Sequence, residues 1–212
     1  MDTIQTLRSY AKQPITRQLL LSLFESYKRP NDKISELLHG GLITAIKRGL
    51  YVAGPTLNAG KPEPFLLANH ILGPSYVSLD TALSYHGMIP ERVYEISSMT
   101  VKAARKFNTA MGTFSYIHLP LPYYSLGIQQ VRLADEQYAM VASPEKALAD
   151  KIITTSGILL RSQKDAEDYL LDNLRMDEEA LKTLDIKMMQ GWLPSAFKKE
   201  SLITVIKLIA RL

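Results

Sequence analysis

The 212-residue chain has no cysteine and no long apolar run. Without cysteine, a disulfide framework and thiolate metal ligands are excluded, and a reducing cytosol is the fitting compartment. No segment approaches the roughly 20 continuous apolar residues that a membrane-spanning helix needs. Acidic and polar residues around Asp2 stand where a secretory signal would need an apolar core. These features predict a cytoplasmic protein with no membrane contact.

The common catalytic motifs are missing as well. The chain contains no glycine-rich phosphate loop ending in Gly-Lys-Ser/Thr and no Gly-x-Ser-x-Gly elbow. Its four histidines, His39, His70, His86 and His118, include no pair at the i, i+4 spacing of metal ligands. His86 follows a predicted helix and is expected to bond the carbonyls of its last turn. We therefore expect no enzymatic activity, no metal and no cofactor.

Four carboxylates keep an enzymatic alternative open. Asp80, Glu91, Glu145 and Asp150 could converge in space as an acid–base or metal-binding cluster. A structural interpretation is favoured because Glu91 and Glu145 lie where helix ends and turns prefer carboxylates. The remaining alternative is an enzyme of unknown chemistry in the second half of the chain.

Charge is distributed unevenly along the chain. Residues 1–61 carry nine basic and four acidic side chains, whereas the remaining residues carry 16 and 17. A sign asymmetry confined to one region indicates that this region contacts a polyanion. The alternative is a protein-interaction module, in which the N-terminal charge only maintains solubility.

The most informative pattern lies between Asn31 and Ala53. Asn31 is the predicted N-cap of a short helix that ends at Gly40-Gly41. A predicted hairpin follows, with arms 42–46 and 50–53 around Lys47-Arg48-Gly49. Gly49 is expected to supply a positive φ, and the two basic side chains are expected to stay outside the core. A helix followed by a basic-tipped hairpin is typical of a winged helix-turn-helix, although an ordinary surface hairpin is also compatible.

The rest of the chain is predicted to divide into a small and a large domain. Helices are expected over 2–10 and from an N-cap at Thr16, and the proline- and glycine-rich segment 54–64 is the predicted linker. The predicted domains are therefore 1–57, a winged helix-turn-helix, and 65–212, a mixed α/β domain that ends in helices. The overall fold class is α/β, in the α+β arrangement.

Alternation and capping residues predict the elements of the larger domain. Ser78 is the predicted N-cap of a helix that ends before Gly87, and Ser143-Pro144-Glu145 is predicted to start another. Strands are predicted over 92–100 and 114–119, and a pair over 127–133 and 137–142 is joined by an acidic turn. Periodicity further predicts helices over 163–174 and 177–189 and an amphipathic helix at the C-terminus.

Several of these segments resemble AbiEi-type antitoxins. The resemblance is carried, in order within residues 15–155, by 31–37, 47–52, 67–69, 73–79, 82–91 and 142–150. It implies a transcriptional regulator that is also the antitoxin of a type IV toxin–antitoxin (abortive infection, phage defence) pair. The implied partners are double-stranded operator DNA, with self-association on it, and a nucleotidyltransferase-like toxin, which is countered often without a stable complex. One departure is that the first hairpin arm, 42–46, has no charged residue.

Two sets of candidate residues follow. The expected DNA contacts are Lys28, Arg29, Asn31, Lys33, Ser35, Lys47, Arg48 and Tyr51. The motif residues of the implied antitoxin domain are Pro74, Ser75, Tyr76, Tyr85, His86, Glu91, Ser143, Glu145 and Lys146.

Overall fold

Three short helices and a small sheet form the N-terminal part of the computed structural model, which describes residues 3–212. Its strands form an antiparallel sheet in the order β1-β3-β2. Asp2, the predicted start of the first helix, lies outside the described residues. The elements are α1 (Thr3–Ser9), β1 (Ile15–Thr16), α2 (Arg17–Leu23), α3 (Pro30–His39), β2 (Ile43–Lys47) and β3 (Leu50–Ala53).

Local capping explains where α2 and α3 begin. The Thr16 hydroxyl accepts a hydrogen bond from the Leu19 N–H at 3.1 Å, which confirms the predicted cap. The prediction that Asn31 caps α3 is wrong, because the helix already begins at Pro30. The fixed φ of proline and its missing N–H suit the first helical position. The cap position therefore falls to Arg29, whose side chain makes no capping bond.

The β2–β3 hairpin closes through a tight turn. Lys47 pairs with Leu50, so Arg48 and Gly49 alone form the turn, one residue fewer than predicted. Gly49 has a φ of +80°, which confirms the expected positive φ.

The hairpin contributes side chains to two hydrophobic cores. Along β3, Tyr51 and Ala53 pack in the N-terminal core, while Leu50 and Val52 pack in the core of the rest of the chain. This alternation follows from the two-residue period of a strand. Because Ile46 also enters the larger core, the hairpin packs against both parts of the chain.

The segment predicted as a linker is also held at both ends. Leu57 is fully buried in the N-terminal core. The N–H of Glu63 donates to Oε1 of Gln137 at 2.7 Å. Nearby, Lys12 Nζ lies 2.8 Å from Oδ1 of Asp135. These contacts join the N-terminal part and the predicted linker to the turn at residues 134–137.

The second part contains a mixed six-stranded sheet and seven helices, in agreement with the predicted α/β class. The sheet order is β6-β7-β5-β4-β9-β8. Its strands are β4 (Ser75–Val77), β5 (Ile96–Thr100), β6 (Arg105–Thr109), β7 (Gly112–His118), β8 (Ile128–Arg132) and β9 (Tyr138–Ala142). Its helices are α4 (Pro64–Ile71), α5 (Leu79–Tyr85), α6 (Pro144–Thr154), α7 (Gln163–Glu167, continued by a π turn over Asp168–Asn173), α8 (Glu178–Lys182), α9 (Ile186–Trp192) and α10 (Lys199–Ile209).

The predicted strand over 92–100 begins only at Ile96. The backbone before it bonds to side chains of α5 instead of to a neighbouring strand. The Glu91 carbonyl accepts from the Ser84 hydroxyl at 2.8 Å, and the Glu95 carbonyl accepts from the Thr81 hydroxyl at 2.9 Å. Strand β6 has no counterpart among the predicted strands. The predicted β8–β9 pair is present, with the expected turn at 134–136.

The predicted helix over 177–189 is wrong, since α8 and α9 are separate. Asp185 breaks it by capping α9, because its carboxylate accepts from the Met188 N–H at 3.0 Å. Its own N–H donates to Oε1 of Glu145 at 3.0 Å, which anchors the break to the start of α6.

No helix of residues 3–212 combines the length and the apolarity needed to cross a membrane.

Candidate nucleic-acid interface and a buried charge cluster

The starts of α2 and α3 lie beside the hairpin turn, and Arg17 connects all three. The N–H of Arg17 donates to the Gly49 carbonyl at 2.9 Å. Its guanidinium donates to Oδ1 of Asn31 at 2.7 Å. Because Arg48 precedes Gly49 and Arg29 precedes Pro30, these bonds bring three arginines to one exposed region.

Lys47 does not project from the hairpin tip as predicted. Its Nζ donates to the Ile71 carbonyl at the C-terminal end of α4, and the side chain is partly buried. This burial lowers the pKa of Lys47, and the nearby charges of Lys102 and Arg105 lower it further. The long aliphatic stem of lysine allows such packing while the ammonium group stays at a polar edge. Lys47 thus anchors the hairpin to α4.

Lys102 and Arg105 extend this region onto the second sheet. The Nζ of Lys102 donates to the Gly73 carbonyl, two residues beyond the carbonyl that binds Lys47. Arg105 begins β6 and pairs in register with Tyr116, whose hydroxyl donates to the Ala68 carbonyl of α4 at 2.6 Å. Two cations of the larger part therefore lie beside the hairpin.

We call this set of cations the cationic strip. Within residues 3–212, the structure has no ion pair to Arg17, Lys47, Arg48, Lys102 or Arg105. Arg29 forms an ion pair with Asp32 at 3.6 Å, and both side chains are exposed. Exposed pairs of this kind contribute little and open easily. The members of the cationic strip are Arg17, Arg29, Lys47, Arg48, Lys102 and Arg105.

The other expected DNA contacts have different surroundings. Lys28 and Ser35 are exposed, and the Ser35 hydroxyl donates to the Asn31 carbonyl at 3.1 Å. Lys33 is partly buried and bonds to Glu36 at 2.7 Å, which raises the pKa of Lys33 and offsets its charge. Tyr51 is buried in the N-terminal core, so we exclude it from the contact surface.

Sequence reasoning missed Arg17, Lys102 and Arg105 as site residues. A signal for the last two was present, since residues 96–134 carry four basic side chains and no Asp or Glu. Averaging charge over the whole second part concealed this segment, because the rest of residues 62–212 carries 12 basic and 17 acidic side chains. Nothing local to Arg17 marks it, because its role depends on the fold of the hairpin.

A second group of charges lies at the centre of the large core. Lys146 and Asp150, one turn apart on α6, are fully buried, and Nζ lies 3.1 Å from Oδ1. The other carboxylate oxygen accepts from the Tyr76 hydroxyl at 2.9 Å and from the Ser78 hydroxyl at 2.8 Å. Nζ of Lys146 also donates to the Tyr123 carbonyl at 2.9 Å and lies 3.4 Å from the centre of its ring.

Burial dominates the electrostatics of this cluster. It raises the pKa of Asp150 and lowers that of Lys146, while their mutual attraction opposes both shifts. Burial and the Asp150 charge also raise the pKa of Tyr76 well above its ordinary value. Because Tyr76, Tyr123 and Ser78 are fully buried as well, a substrate has no access to the cluster in this conformation. The arrangement is that of a structural ion pair.

Ser143 and Glu145 organise the start of α6. The Ser143 hydroxyl accepts from the Lys146 N–H at 3.2 Å, which confirms the predicted cap, and it donates to Oε2 of Glu145 at 2.7 Å. Ser78 was predicted to cap α5, but its side chain makes no capping bond because its hydroxyl donates to Asp150.

The remaining motif residues are dispersed. Nε2 of His86 lies 2.8 Å from the Ala142 carbonyl, not against the last turn of its own helix as predicted. The exposed Tyr85 packs edge-on against Phe65, with the two ring centres 5.4 Å apart. Ser75 is buried in β4, and the exposed Pro74 precedes it.

The four candidate carboxylates do not converge. Asp80 bonds to Lys151 at 2.7 Å, and Glu91 bonds to Arg175, which lowers the pKa of Glu91. Glu145 accepts from Ser143 and from the Asp185 backbone, while Asp150 pairs with Lys146. Among the described residues, no three acidic or histidine side chains are arranged to hold a metal ion.

Comparisons with known proteins give a likeness in fold. No protein-family model matches the chain, and no curated protein matches it. A crystal structure of the RV2827C protein from Mycobacterium tuberculosis is similar, with a TM-score of 0.54 and 15% sequence identity. The match covers 98% of this chain and 79% of that protein. At this identity the likeness concerns the fold alone, an α+β architecture that extends over nearly the whole chain.

Proposed function

We propose that this protein is a DNA-binding transcriptional repressor and the antitoxin of a type IV toxin–antitoxin pair. Its N-terminal unit is proposed to be a winged helix-turn-helix. The order α1-β1-α2-α3-β2-β3 is compatible with that motif, with α3 as the helix that enters the major groove and the hairpin as the wing.

The observation that carries the DNA-binding proposal is the cationic strip. It runs from Arg29 and Arg17, at the starts of α3 and α2, across the turn to Lys102 and Arg105. Lysine and arginine side chains arranged along one surface are the usual partners of DNA phosphates. The surface of α3 adds the exposed Asn31 and Ser35, which are the proposed base contacts.

The antitoxin half of the proposal is supported by the resemblance of the motifs within residues 15–155. Most of these motif residues cap helices, close turns or fill the core, so the second domain is proposed to act by recognition and not by turnover. An enzyme in this domain is disfavoured because its most perturbed ionisable groups are enclosed.

A gel-shift experiment tests the DNA-binding proposal. A labelled fragment of the protein's own promoter is titrated with protein, and unlabelled promoter or unrelated DNA competes for binding. We expect the promoter to compete better than unrelated DNA. Equal competition would reduce the proposal to non-specific binding of a polyanion, and no shift at low salt would refute it.

A growth assay with the proposed nucleotidyltransferase-like toxin tests the antitoxin half. Removing residues 1–53 is a poor test, because Ile46, Leu50 and Val52 belong to the larger core. Arg17→Gln/Arg48→Gln in the full chain is preferable, since both side chains are exposed. We expect this variant to lose repression and to retain protection when expressed from an unrelated promoter. Loss of both by a folded variant would contradict two separable functions.

A further inference from the structure

The two edges of the six-stranded sheet differ in how they are protected. Strand β6 is one edge and carries adjacent charges at Arg105 and Lys106, a common device against unwanted strand pairing. Strand β8 is the other edge, with the sequence Ile-Gln-Gln-Val-Arg and a single charge at its end. It contains no proline, which is another common protection of edges.

Half of the backbone groups of β8 face away from the sheet. Ser143 donates its N–H to the Gly127 carbonyl at 2.9 Å, and Leu133 donates to the Gln137 carbonyl at 2.7 Å. Hydrogen-bonded pairs alternate along an antiparallel ladder, so Gln129 and Val131 also bond to β9. The N–H and C=O groups of 128, 130 and 132 therefore point outward, and among residues 3–212 the structure shows no bond to them.

We infer that β8 is a self-association edge, at which a second copy of this chain adds its own β8 in antiparallel orientation. The register that pairs all five residues places Gln130 opposite Gln130 of the second copy, on a two-fold axis. Ile128 then lies opposite Arg132 of the other copy. Each outward-facing residue exchanges both of its backbone hydrogen bonds with its partner.

The side chains of β8 fit this symmetric register. The Gln130 amide both donates and accepts, so two copies bond to each other across the axis. Arg132 lies opposite Ile128 of the second copy and not opposite the second Arg132, so two like charges do not meet. Gln130 and Arg132 are exposed, and Ile128 is partly buried, so the outer side of the strand is accessible.

The interface is small, so its affinity is expected to be low. One pair of five-residue strands buries less than the roughly 1,000 Å² of a stable interface. We therefore expect a dissociation constant on the order of 100 μM in solution. Two copies held on neighbouring DNA sites would pair more readily through effective concentration. The inference itself does not depend on DNA binding.

Sedimentation equilibrium of the full chain without DNA tests the inference, with Gln130→Lys and Gln130→Glu as variants. We expect the wild type to form dimers and each variant to associate at least about fivefold more weakly, because like charges meet on the axis. An equimolar mixture of the two variants should recover association. Asn108→Lys, which adds the same charge at the β6 edge, is the matched control and should dimerise like the wild type.

Amide exchange gives a second readout that identifies the strand. At high concentration the amides of 128, 130 and 132 should become protected, while those of 129 and 131 are protected at every concentration. Gln130→Pro should abolish this change, since it removes an outward N–H at an edge that tolerates proline. A wild type that stays monomeric at millimolar concentration, or charge variants that associate as the wild type does, would overturn the inference. The charge variants suffice if the proline variant does not fold.

Discussion

Lys146 and the cationic strip use the same kind of charge for different purposes. Lys146 is fully buried, and its ammonium group is surrounded by Asp150, the Tyr123 ring and a carbonyl. In the cationic strip, Lys102 and Arg48 are exposed and have no acidic partner among the described residues. A buried cation must be neutralised inside the fold, whereas an exposed unpaired cation remains available to an external anion. The buried cation therefore contributes to stability, and the exposed cations are available for binding.

The largest expected effect comes from breaking the buried pair. Lys146→Ala leaves Asp150 buried without its cation and should lower the free energy of unfolding by about 3–5 kcal/mol. Denaturant titration measures this loss. Lys151→Ala is the control, because this lysine pairs with the more exposed Asp80 and should cost under about 1 kcal/mol. Equal losses for the two variants would mean that burial does not distinguish the pairs.

A second prediction concerns the part of the cationic strip on the large sheet. Lys102→Gln/Arg105→Gln should weaken promoter binding. The slope of log affinity against log salt concentration should also become less steep, by about 0.9 for each phosphate that the variant no longer neutralises. Unfolding should change little, since both side chains are exposed. The control is Lys187→Gln/Lys199→Gln, which removes the same charge from exposed positions of α9 and α10. If both double variants bind alike, net charge and not position governs binding.

Lys47 is partly buried and so lies between the buried and the exposed cations. Lys47→Met keeps the aliphatic stem against α4 but removes the bond to the Ile71 carbonyl. We expect a loss of stability of about 1 kcal/mol or less together with weaker DNA binding. Arg48→Gln should weaken binding without changing the melting temperature. A Lys47→Met variant with unaltered affinity would assign this lysine to packing alone.

The smallest effect is expected at Asn31. Because it does not cap α3, Asn31→Ala should change the free energy of unfolding by no more than about 0.5 kcal/mol. It should still weaken DNA binding, since the Arg17 guanidinium loses the oxygen that positions it. A stability loss of about 1 kcal/mol with unchanged binding would instead indicate a capping role.

Local signals in the sequence predicted the elements that depend on local physics. The start of α6 at Ser143-Pro144, the turn at Gly49 and the β8–β9 pair follow from capping, φ preference and alternation, and each is present. The break at Asp185 was missed because helical periodicity continues across it, although Asp185 caps α9 locally and is anchored by Glu145, 40 residues away.

The candidate site was less predictable for the same reason. The clustering of basic residues in 1–61 indicated a polyanion partner, but the orientation of Lys47 is set by α4. Likewise, Lys102 joins the hairpin only because α4 ends beside it. The buried pair had one local sign, since Lys146 and Asp150 lie one helical turn apart beside the inward-facing Ala147 and Leu148.

The salt dependence of promoter binding tests the central claim most directly. The affinities of the wild type and of a Lys47→Gln/Arg48→Gln/Lys102→Gln/Arg105→Gln variant are measured across a range of salt concentrations. If most of the cationic strip contacts phosphates, the wild-type slope of log affinity against log salt should be about −4 to −5. The variant should have a slope closer to zero by about 3 to 4. A wild-type slope near zero, or an unchanged slope in a folded variant, would contradict DNA binding through this surface.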